Sequence, residues 1–348
     1  MLLVITIGLD AGGLARSRFV LSRLAELTNG LEVLSHPERA PYAHRWVETT
    51  RPQVDVADLA VLLGLVDHSS WYVPDFLVPI AGEYAPTLAR ELDAVATAPA
   101  ELVRYQLRMA FRIGPPPPDA LRRSGAGAGR DPRAPLSSAV ADVLAAGESV
   151  LAECVAEQLA RCWRRIMAAS WPAIHRILDG DVRHRAERAS RVGFGGIVDG
   201  LHPQLGWDGT RLTVRRPVDV SVDTTSGVVL VPSVFLPSPA LWLGAPGQAM
   251  IGYPARGRGR VWAMPQGPAA GTVLLGHRRA ALLGDLDTPR STTELAARHR
   301  LSPATVSYHL ARLRQAGLVT RRQSGHAVLY QRTDRVATLL AVVDPEPD

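Results

Sequence analysis

The side chains best suited to recognition chemistry lie in one short stretch near the carboxyl terminus, between Ser302 and Arg312. Within it, Val306, Leu310 and Leu313 recur at i, i+4 and i+7, the spacing of one buried helix face. The opposite face then carries hydroxyl groups, an imidazole and a guanidinium, which suit hydrogen bonds to base edges and phosphates. The candidate DNA contacts on this helix are Ser302, Ala304, Thr305, Ser307, Tyr308, His309 and Arg312.

A second set of polar side chains follows directly after this helix. Two alternating runs, 318–322 and 327–330, flank a turn that contains a glycine, which predicts a two-stranded hairpin. Such a hairpin beside a recognition helix is a wing, and its arginines can reach phosphates or the minor groove. The candidate contacts in the wing are Arg321, Arg322, Gln323, Ser324 and His326.

The elements that must position these residues are also visible in the sequence. Ser291-Thr-Thr-Glu294 forms a capping box that opens one helix, and Ser302 with Pro303 opens the next. The turn between them is only three or four residues long, so the two helices cannot be antiparallel. An apolar helix precedes them, and Gly317 ends the last one with a left-handed cap. The order predicts a winged helix-turn-helix over 268–341; the alternative is a small helical packing domain with a basic face.

The distribution of charge agrees with this prediction. The formal net charge is +6, and residues 277–335 carry eleven arginines against Asp285, Asp287, Glu294 and Asp334. A basic carboxyl-terminal segment attached to a nearly neutral body is typical of a nucleic-acid-binding protein with a separate second domain.

Composition and motifs argue against an enzyme. All 39 Lys+Arg residues are arginine, which excludes lysine-dependent phosphate loops, Schiff bases and Ser-Lys nucleophiles. Residues 1–265 contain no nucleophile elbow, no zinc-protease helix motif and no Cys-His arrangement. We therefore predict a protein that is not an enzyme and has no cofactor. Cys154 and Cys162 are eight residues apart on a predicted helix, too far for a disulfide.

The fold class predicted for the chain is α+β. Residues 1–200 show mostly helical periodicity, including one helix from Asp10 to about Thr28 that Asn29-Gly30 ends. A Pro/Gly/Ala-rich stretch at 114–135 is predicted to be a flexible loop, and 137–191 to be helices broken near Pro172 and Gly180. Residues 205–265 alternate with period two and predict a small antiparallel β-meander, with strands near 212–214, 218–222, 228–231, 250–253 and 261–262.

Two further features of residues 1–265 could bind ligands. His175, Asp179, Asp181 and His184 could meet around a metal ion only if the helix breaks at Gly180, because 175 and 184 otherwise point to opposite faces. The run Arg256-Gly-Arg-Gly-Arg260 could be a minor-groove hook, although its strand-like flanks favour a hairpin turn. We predict no metal site.

The carboxyl-terminal segment resembles ArsR-type winged-helix regulators. The resemblance covers about 270–340 and is carried by Ser291-Thr-Thr-Glu-Leu-Ala296, Leu301-Ser-Pro-Ala-Thr-Val-Ser-Tyr-His-Leu310 and Gly317-Leu-Val-Thr-Arg-Arg322. It implies a homodimer on a two-fold operator, usually a repressor released by an effector. The usual metal ligands of the family are missing, because 282–300 contain no Cys and 333–348 no His.

Upstream, four short motifs are similar to a long amino-terminal domain fused to such winged helices: Trp171-Pro-Ala-Ile174, Leu201-His-Pro203, Val231-Pro-Ser233 and Tyr253-Pro-Ala-Arg-Gly257. The resemblance carries no ligand with it.

The combined prediction is a transcriptional regulator in which 1–265 dimerise or bind a small-molecule effector and 268–341 bind double-stranded operator DNA. Alternatives are an amino-terminal enzyme or a protein-interaction domain whose output is coupled to the DNA-binding tail. The opening Met1–Leu9 lacks signal-peptide features and is too short to span a bilayer, so it is predicted to be a strand. We expect a cytoplasmic protein without membrane contacts.

Overall fold

The computed structural model describes residues 4–66, 72–80, 82–117, 131–215, 220–224, 226–244, 247–262, 275–286, 288–324, 327–333 and 336. The chain divides into two compact units, 1–262 and 263–348, called here the amino-terminal and carboxyl-terminal units. The predicted domain boundary at 265–268 lies outside the described residues and stays a prediction. No helix among the described residues is long and apolar enough to cross a membrane.

Helices make up most of the first two hundred residues, as the sequence predicts. They are α1 Ala11–Arg16, α2 Arg23–Ser35, α3 His44–Thr50, α4 Ala60–Leu65, α5 Leu88–Ala96, α6 Ala100–Ala110, α7 Ser138–Leu144, α8 Glu148–Cys162 and α9 Trp171–Asp199. A π-helical segment, Trp163–Met167, lies between α8 and α9. Their apolar faces form the larger core of the unit, which includes Leu24, Leu62, Val103, Leu159 and Phe235.

Two four-stranded sheets complete the amino-terminal unit. Their strands are β1 Val4–Leu9, β2 Arg18–Phe19, β3 Leu205–Trp207, β4 Arg211–Arg215, β5 Val220–Thr224, β6 Val228–Ser233, β7 Ala240–Leu243 and β8 Ala249–Pro254. The orders are β3-β4-β1-β5 and β2-β6-β8-β7. The α+β class is therefore confirmed, and the strand predicted at the start of the chain is β1.

Both sheets are mixed, whereas the sequence predicted an antiparallel meander. β1 pairs antiparallel with β4 and parallel with β5, so that Ile5 faces both Val214 and Val220 in register. β6 and β8 are also parallel, with Leu230 opposite Ile251. The reason is long-range pairing: β1 lies between β4 and β5, and β2 lies at the sheet edge beside β6, so both strands from the first twenty residues pair with strands from the far end of the unit.

The helix predicted from Asp10 to Thr28 is two helices, and Asn29-Gly30 does not end it. Asp10 caps only α1, which ends before Ser17, and the Ser22 hydroxyl accepts from the backbone N–H of Ala25 to open α2. Asn29 and Gly30 lie buried inside α2. A Cβ on Gly30 would stand 3.1 Å from both Trp46 and Met167, so the glycine allows close packing.

Gly180 does not break α9, contrary to the sequence prediction. The helix runs through it between the buried side chains of Leu178 and Val182, and departs from helical geometry only at Gly193, where φ is 69°. Gly180 itself is exposed. A glycine inside a helix costs about 1 kcal/mol, which the burial of its neighbours offsets.

Residues 256–262 form neither a hairpin nor a strand. Arg258–Val261 is a 3-10 helix, preceded by Gly257 with φ 73°. The Arg258 guanidinium donates to the Leu236 carbonyl and lies 4.8 Å from the ring centroid of Tyr42. The central arginine of the supposed minor-groove hook is therefore bound within its own unit.

The predicted flexible loop at 114–135 is ordered at its carboxyl end, while 118–130 lie outside the described residues. Arg133 is 5% exposed, forms an ion pair with Asp131, and donates to the carbonyls of Arg108, Phe111 and Gly114. The Pro/Gly/Ala-rich composition of the stretch did not indicate that Arg133 is buried.

The carboxyl-terminal unit contains α10 His277–Asp285, β9 Arg290–Ser291, α11 Thr292–His299, α12 Pro303–Gln315, β10 Val319–Ser324 and β11 Ala327–Arg332. The strands form an antiparallel sheet in the order β10-β11-β9. One apolar core joins the helices to the sheet, with Leu282, Leu295, Leu310, Leu313 and Val319 buried. The predicted winged helix-turn-helix fold is confirmed.

Candidate nucleic-acid interface

The first helix of the motif, α11, begins and ends as its local sequence dictates. The Ser291 hydroxyl accepts from the Glu294 N–H at 3.2 Å, and the Glu294 carboxylate accepts from the Ser291 N–H at 2.7 Å. Together they satisfy two of the amide groups that open every helix. At the other end Arg300 adopts a left-handed conformation with φ 52°, which turns the chain toward α12 within three residues.

The second helix, α12, presents the predicted face to the surface. The Ser302 hydroxyl accepts from the Thr305 N–H at 3.2 Å and caps it, and Gly317 follows its end with φ 71°. Val306, Leu310 and Leu313 are buried against the core. The opposite face is exposed at Ala304, Ser307, Tyr308 and Arg312. The periodicity therefore separates a packing face from a free face as expected.

Tyr308 and Arg312 form a pair on this free face. Tyr308 is 58% exposed, an unusual degree for a large aromatic side chain. The Arg312 guanidinium lies 5.7 Å from its ring centroid, where the negative face of the ring attracts the cation. This contact restrains the Arg312 side chain. A restrained arginine would lose less conformational entropy on contact with a phosphate or a base.

Thr305 and His309 lie at the border of the free face. Thr305 is half-buried, and its hydroxyl is 2.8 Å from the Ser302 hydroxyl, so it supports the helix cap. His309 is half-buried too, and its Nδ1 has no hydrogen-bond partner among the described residues. Burial, together with the charges of Arg279 and Arg278, lowers the pKa of His309 below its ordinary 6.5. This imidazole is therefore neutral at pH 7.

The wing places its two arginines on opposite faces of the hairpin. Arg321 pairs across the strands with Tyr330, and Arg322 with Leu329. Neighbouring side chains in a strand alternate, so Arg321 shares its face with buried Val319, while Arg322 shares the other with Thr320. Arg321, Arg322 and Gln323 are all exposed. Ser324 pairs with Ala327 at the end of the hairpin, and His326 lies outside the described residues.

A third cluster of basic groups, which the sequence analysis missed, surrounds Asp285. Its carboxylate pairs with Arg298 at 2.9 Å and His299 at 2.9 Å, and its carbonyl accepts from Arg290. These contacts lower the pKa of Asp285, through the hydrogen bond from Arg298 above all. By contrast, no ion pair between described residues includes Arg312, Arg321 or Arg322. These three exposed arginines are therefore available to phosphates.

The candidate metal ligands of the amino-terminal unit are not brought together. Because α9 continues through Gly180, His175 and His184 remain on different faces. Asp181 is buried and accepts from Tyr253 at 2.9 Å and Arg185 at 2.8 Å, while Asp179 pairs with Arg183. No group of three or more potential ligands that could hold a metal occurs among the described residues. Both aspartates instead form ion pairs with the arginine four residues ahead on the same helix.

Fold and surface together define the carboxyl-terminal unit as a winged helix-turn-helix domain. The model of a helix-turn-helix domain family matches residues 278–322, which include α11, α12 and the start of the wing. The larger unit has a different affiliation. The model of a family of unknown function, DUF5937, matches residues 3–258, more than half of the chain, and the chain belongs to this family.

Among solved structures, HlyU from Vibrio cholerae N16961 is similar to this chain at 32% sequence identity. The match covers 23% of this chain and 94% of HlyU, with a TM-score of 0.18. That score is too low to support an argument about the fold. A comparison with curated proteins finds no match.

Proposed function

We propose that the protein is an ArsR-type transcription regulator that binds double-stranded operator DNA through α12 and the wing. The observation that carries this proposal is the exposed face of α12, where Tyr308 and Arg312 stand opposite a fully apolar packing face. A helix of this kind, one short turn after another helix, is the element that enters the major groove in helix-turn-helix proteins. The exposed arginines of the wing supply phosphate contacts.

The proposal extends to the assembly and its control. The protein acts as a homodimer on a two-fold operator and as a repressor, and it has no enzymatic activity. The DUF5937 unit senses an effector that changes the affinity for DNA. The resemblance of 270–340 to ArsR-type regulators supports the dimer and the repressor role. The amino-terminal unit is separate and has a core of its own, which supports assigning effector sensing to it and DNA binding to the other unit.

The direct test is fluorescence anisotropy of the full chain with the DNA upstream of its own gene, over a series of salt concentrations. We expect binding whose affinity falls with salt, with a log-log slope of about −0.9 for each phosphate neutralised. Salt-dependent binding that does not distinguish this DNA from random sequence would support a basic surface without operator recognition. Absence of any binding would refute the proposal.

Substitutions on α12 and the wing distinguish contacts with base edges from contacts with the DNA phosphates. Tyr308→Ala costs about 1–3 kcal/mol on the cognate DNA and little on random DNA, because a base-edge contact is lost. Tyr308→Phe keeps the ring under Arg312 and tests the hydroxyl alone.

Arg321→Ala and Arg322→Ala, on opposite faces of the wing, reveal which face contacts the DNA backbone, since only a contacting arginine changes the salt slope. Exposed Arg45 of the other unit is the matched control, and Arg45→Ala leaves the slope unchanged.

A further inference from the structure

The amino-terminal unit contains a cavity of about 260 Å³ between α5 and the segment that precedes it. Its apolar wall consists of Pro79, Ile80, Pro86 and Ala94. An apolar cavity of about 150 Å³ can hold a benzene molecule. This cavity therefore has room for one ring and a short chain.

One side chain of the cavity lining, Glu91, is both acidic and buried. It is only 2% exposed. Its carboxylate accepts from the Ser22 hydroxyl at 2.5 Å and from the N–H groups of Arg23 and Leu24 at 3.0 and 3.5 Å. No ion pair between described residues includes Glu91. Burial raises the pKa of Glu91 to about 7 although these hydrogen bonds and the charge of Arg23 lower it, so a further cation close to Glu91 would offset the part of the burial cost that remains.

The guanidinium groups near the cavity make their direct contacts with partners other than Glu91, although the charge of Arg23 acts on its carboxylate. The Arg23 guanidinium donates to the Pro86 carbonyl and lies 4.9 Å from the ring centroid of Trp171. Arg90 pairs with Glu83 at 3.4 Å, and both of these side chains are largely exposed. Because Arg90 and Glu83 neutralise each other, Glu91 gives the lining its excess negative charge.

We propose that this cavity binds a small lipophilic primary amine, with its ammonium group toward Glu91 and its hydrocarbon part against Pro79, Ile80 and Pro86. The hydrocarbon part gains free energy from leaving water, and the ammonium group adds to the partial counter-charge that Arg23 gives the buried carboxylate. A carboxylic acid of the same shape would meet Glu91 with a like charge. The binding is a property of the amino-terminal unit and stands whether or not the other unit binds DNA.

Isothermal titration calorimetry of the full chain with 2-phenylethylamine tests the ligand class. The neutral 2-phenylethanol and the anionic 3-phenylpropanoate serve as matched probes. We expect the amine to bind at least about tenfold more tightly than the alcohol, which corresponds to one charge-assisted contact, and the acid not to bind. Equal affinities for amine and alcohol would overturn the proposal.

The pH dependence gives a second readout on the same probe. Glu91 must be ionised to attract the amine, which stays protonated, so affinity rises from about pH 6 to about pH 8. The other charged groups around Glu91 are Arg23, whose charge acts on its carboxylate, and Arg90 and Glu83 of the cavity lining. An affinity that falls across it would contradict the role of Glu91.

Two variants and one control test the location of the binding site and the role of its carboxylate. Ala94 is exposed on α5, so Ala94→Phe fills the cavity without disturbing the core and abolishes binding. Ala141→Phe, at an exposed position of α7 away from the cavity, is the matched control and keeps wild-type affinity. Glu91→Gln removes the preference for amine over alcohol. Should that variant not fold, Ala94→Phe still decides, because wild-type affinity in it would refute the location.

Discussion

The two units of this protein bury different kinds of side chain. Every buried polar or charged side chain among the described residues lies in the amino-terminal unit, from Ser22 to Ser233. The core of the carboxyl-terminal unit is apolar throughout its described part. Buried polar groups need partners, so the first unit depends on specific hydrogen bonds where the second depends on the pattern of apolar residues.

The partners of these buried groups are distant in the sequence. Glu26 accepts from the N–H of Val234, Asp75 from the N–H of Leu243, and Gln158 from the N–H of Leu62. In each case a side chain satisfies a backbone group of another segment. In the carboxyl-terminal unit the bonds that cap the helices are local, such as those of Ser291 and Ser302 to residues three positions ahead, although Thr333 donates to the distant carbonyl of Gly317. Local sequence signals are therefore enough to predict the fold of the carboxyl-terminal unit, but not the hydrogen bonds that hold the amino-terminal unit together.

The largest effect on this comparison is expected from Asp181, which joins α9 to β8. Asp181 and Arg185 have side chains 0% and 6% exposed, and Tyr253 donates to the same carboxylate. Asp181→Ala leaves a buried guanidinium unpaired and costs about 3–5 kcal/mol. Urea unfolding followed by tryptophan fluorescence measures it, because all seven tryptophans precede residue 263.

The matched control is the neighbouring Asp179, which is half-buried and whose two partners, Arg183 and the donating Tyr84 hydroxyl, are both exposed. Asp179→Ala costs less than about 1 kcal/mol, since exposed pairs contribute little. Equal losses for the two variants would show that the buried pair is no more important than the exposed one.

A second prediction concerns pH. Burial raises the pKa of Glu26 to about 8 from its ordinary 4.5, so the folded state holds this proton more tightly than the unfolded chain does. The resulting stabilisation is fully present below about pH 4.5 and is lost as pH rises to about 8. Glu26 contributes at most about 1.4 kcal/mol per pH unit to the slope. Unfolding by urea at several pH values measures it.

Glu26→Gln is the variant that tests this origin of the pH dependence: it reduces the slope, and buried Glu91, whose pKa is raised to about 7, accounts for a contribution of the same sign that remains. The carboxyl-terminal unit behaves in the opposite sense, because hydrogen bonds to Arg298 lower the pKa of Asp285 and those to Ser291 lower the pKa of Glu294. Their contribution is present at neutral pH and is lost below the ordinary carboxyl pKa values. A slope unchanged by Glu26→Gln would assign the effect to other groups.

The smallest effect is expected at the start of α12. Ser302→Ala removes the hydroxyl that caps this helix and costs about 1 kcal/mol. Ser307→Ala, at an exposed position inside the same helix, stabilises the helix by a few tenths of a kcal/mol, because alanine has a higher helix propensity than serine. Hydrogen exchange of the α12 amides in the full chain measures both. Comparable losses of protection would mean that the cap does not determine the stability of this helix.

The sequence by itself determined the carboxyl-terminal fold and its exposed face. The capping box at Ser291, the cap at Ser302, the buried Val306, Leu310 and Leu313 and the left-handed Gly317 all act within a few residues. Such signals can be identified before any tertiary contact is known. The pairing of Arg312 with Tyr308 and the engagement of Thr305 in the cap required the structure, because rotamers decide them.

Only the tertiary structure decided what the polar residues of the amino-terminal unit do. Asn29-Gly30 matches the signal of a helix end, yet Gly30 packs against Trp46 and Asn29 donates to Ser233. Asp181 resembles a metal ligand in the sequence, yet it binds Tyr253 and Arg185. The physical reason is distance along the chain: a buried polar group is satisfied by whichever segment packs on it, and local periodicity does not record that segment.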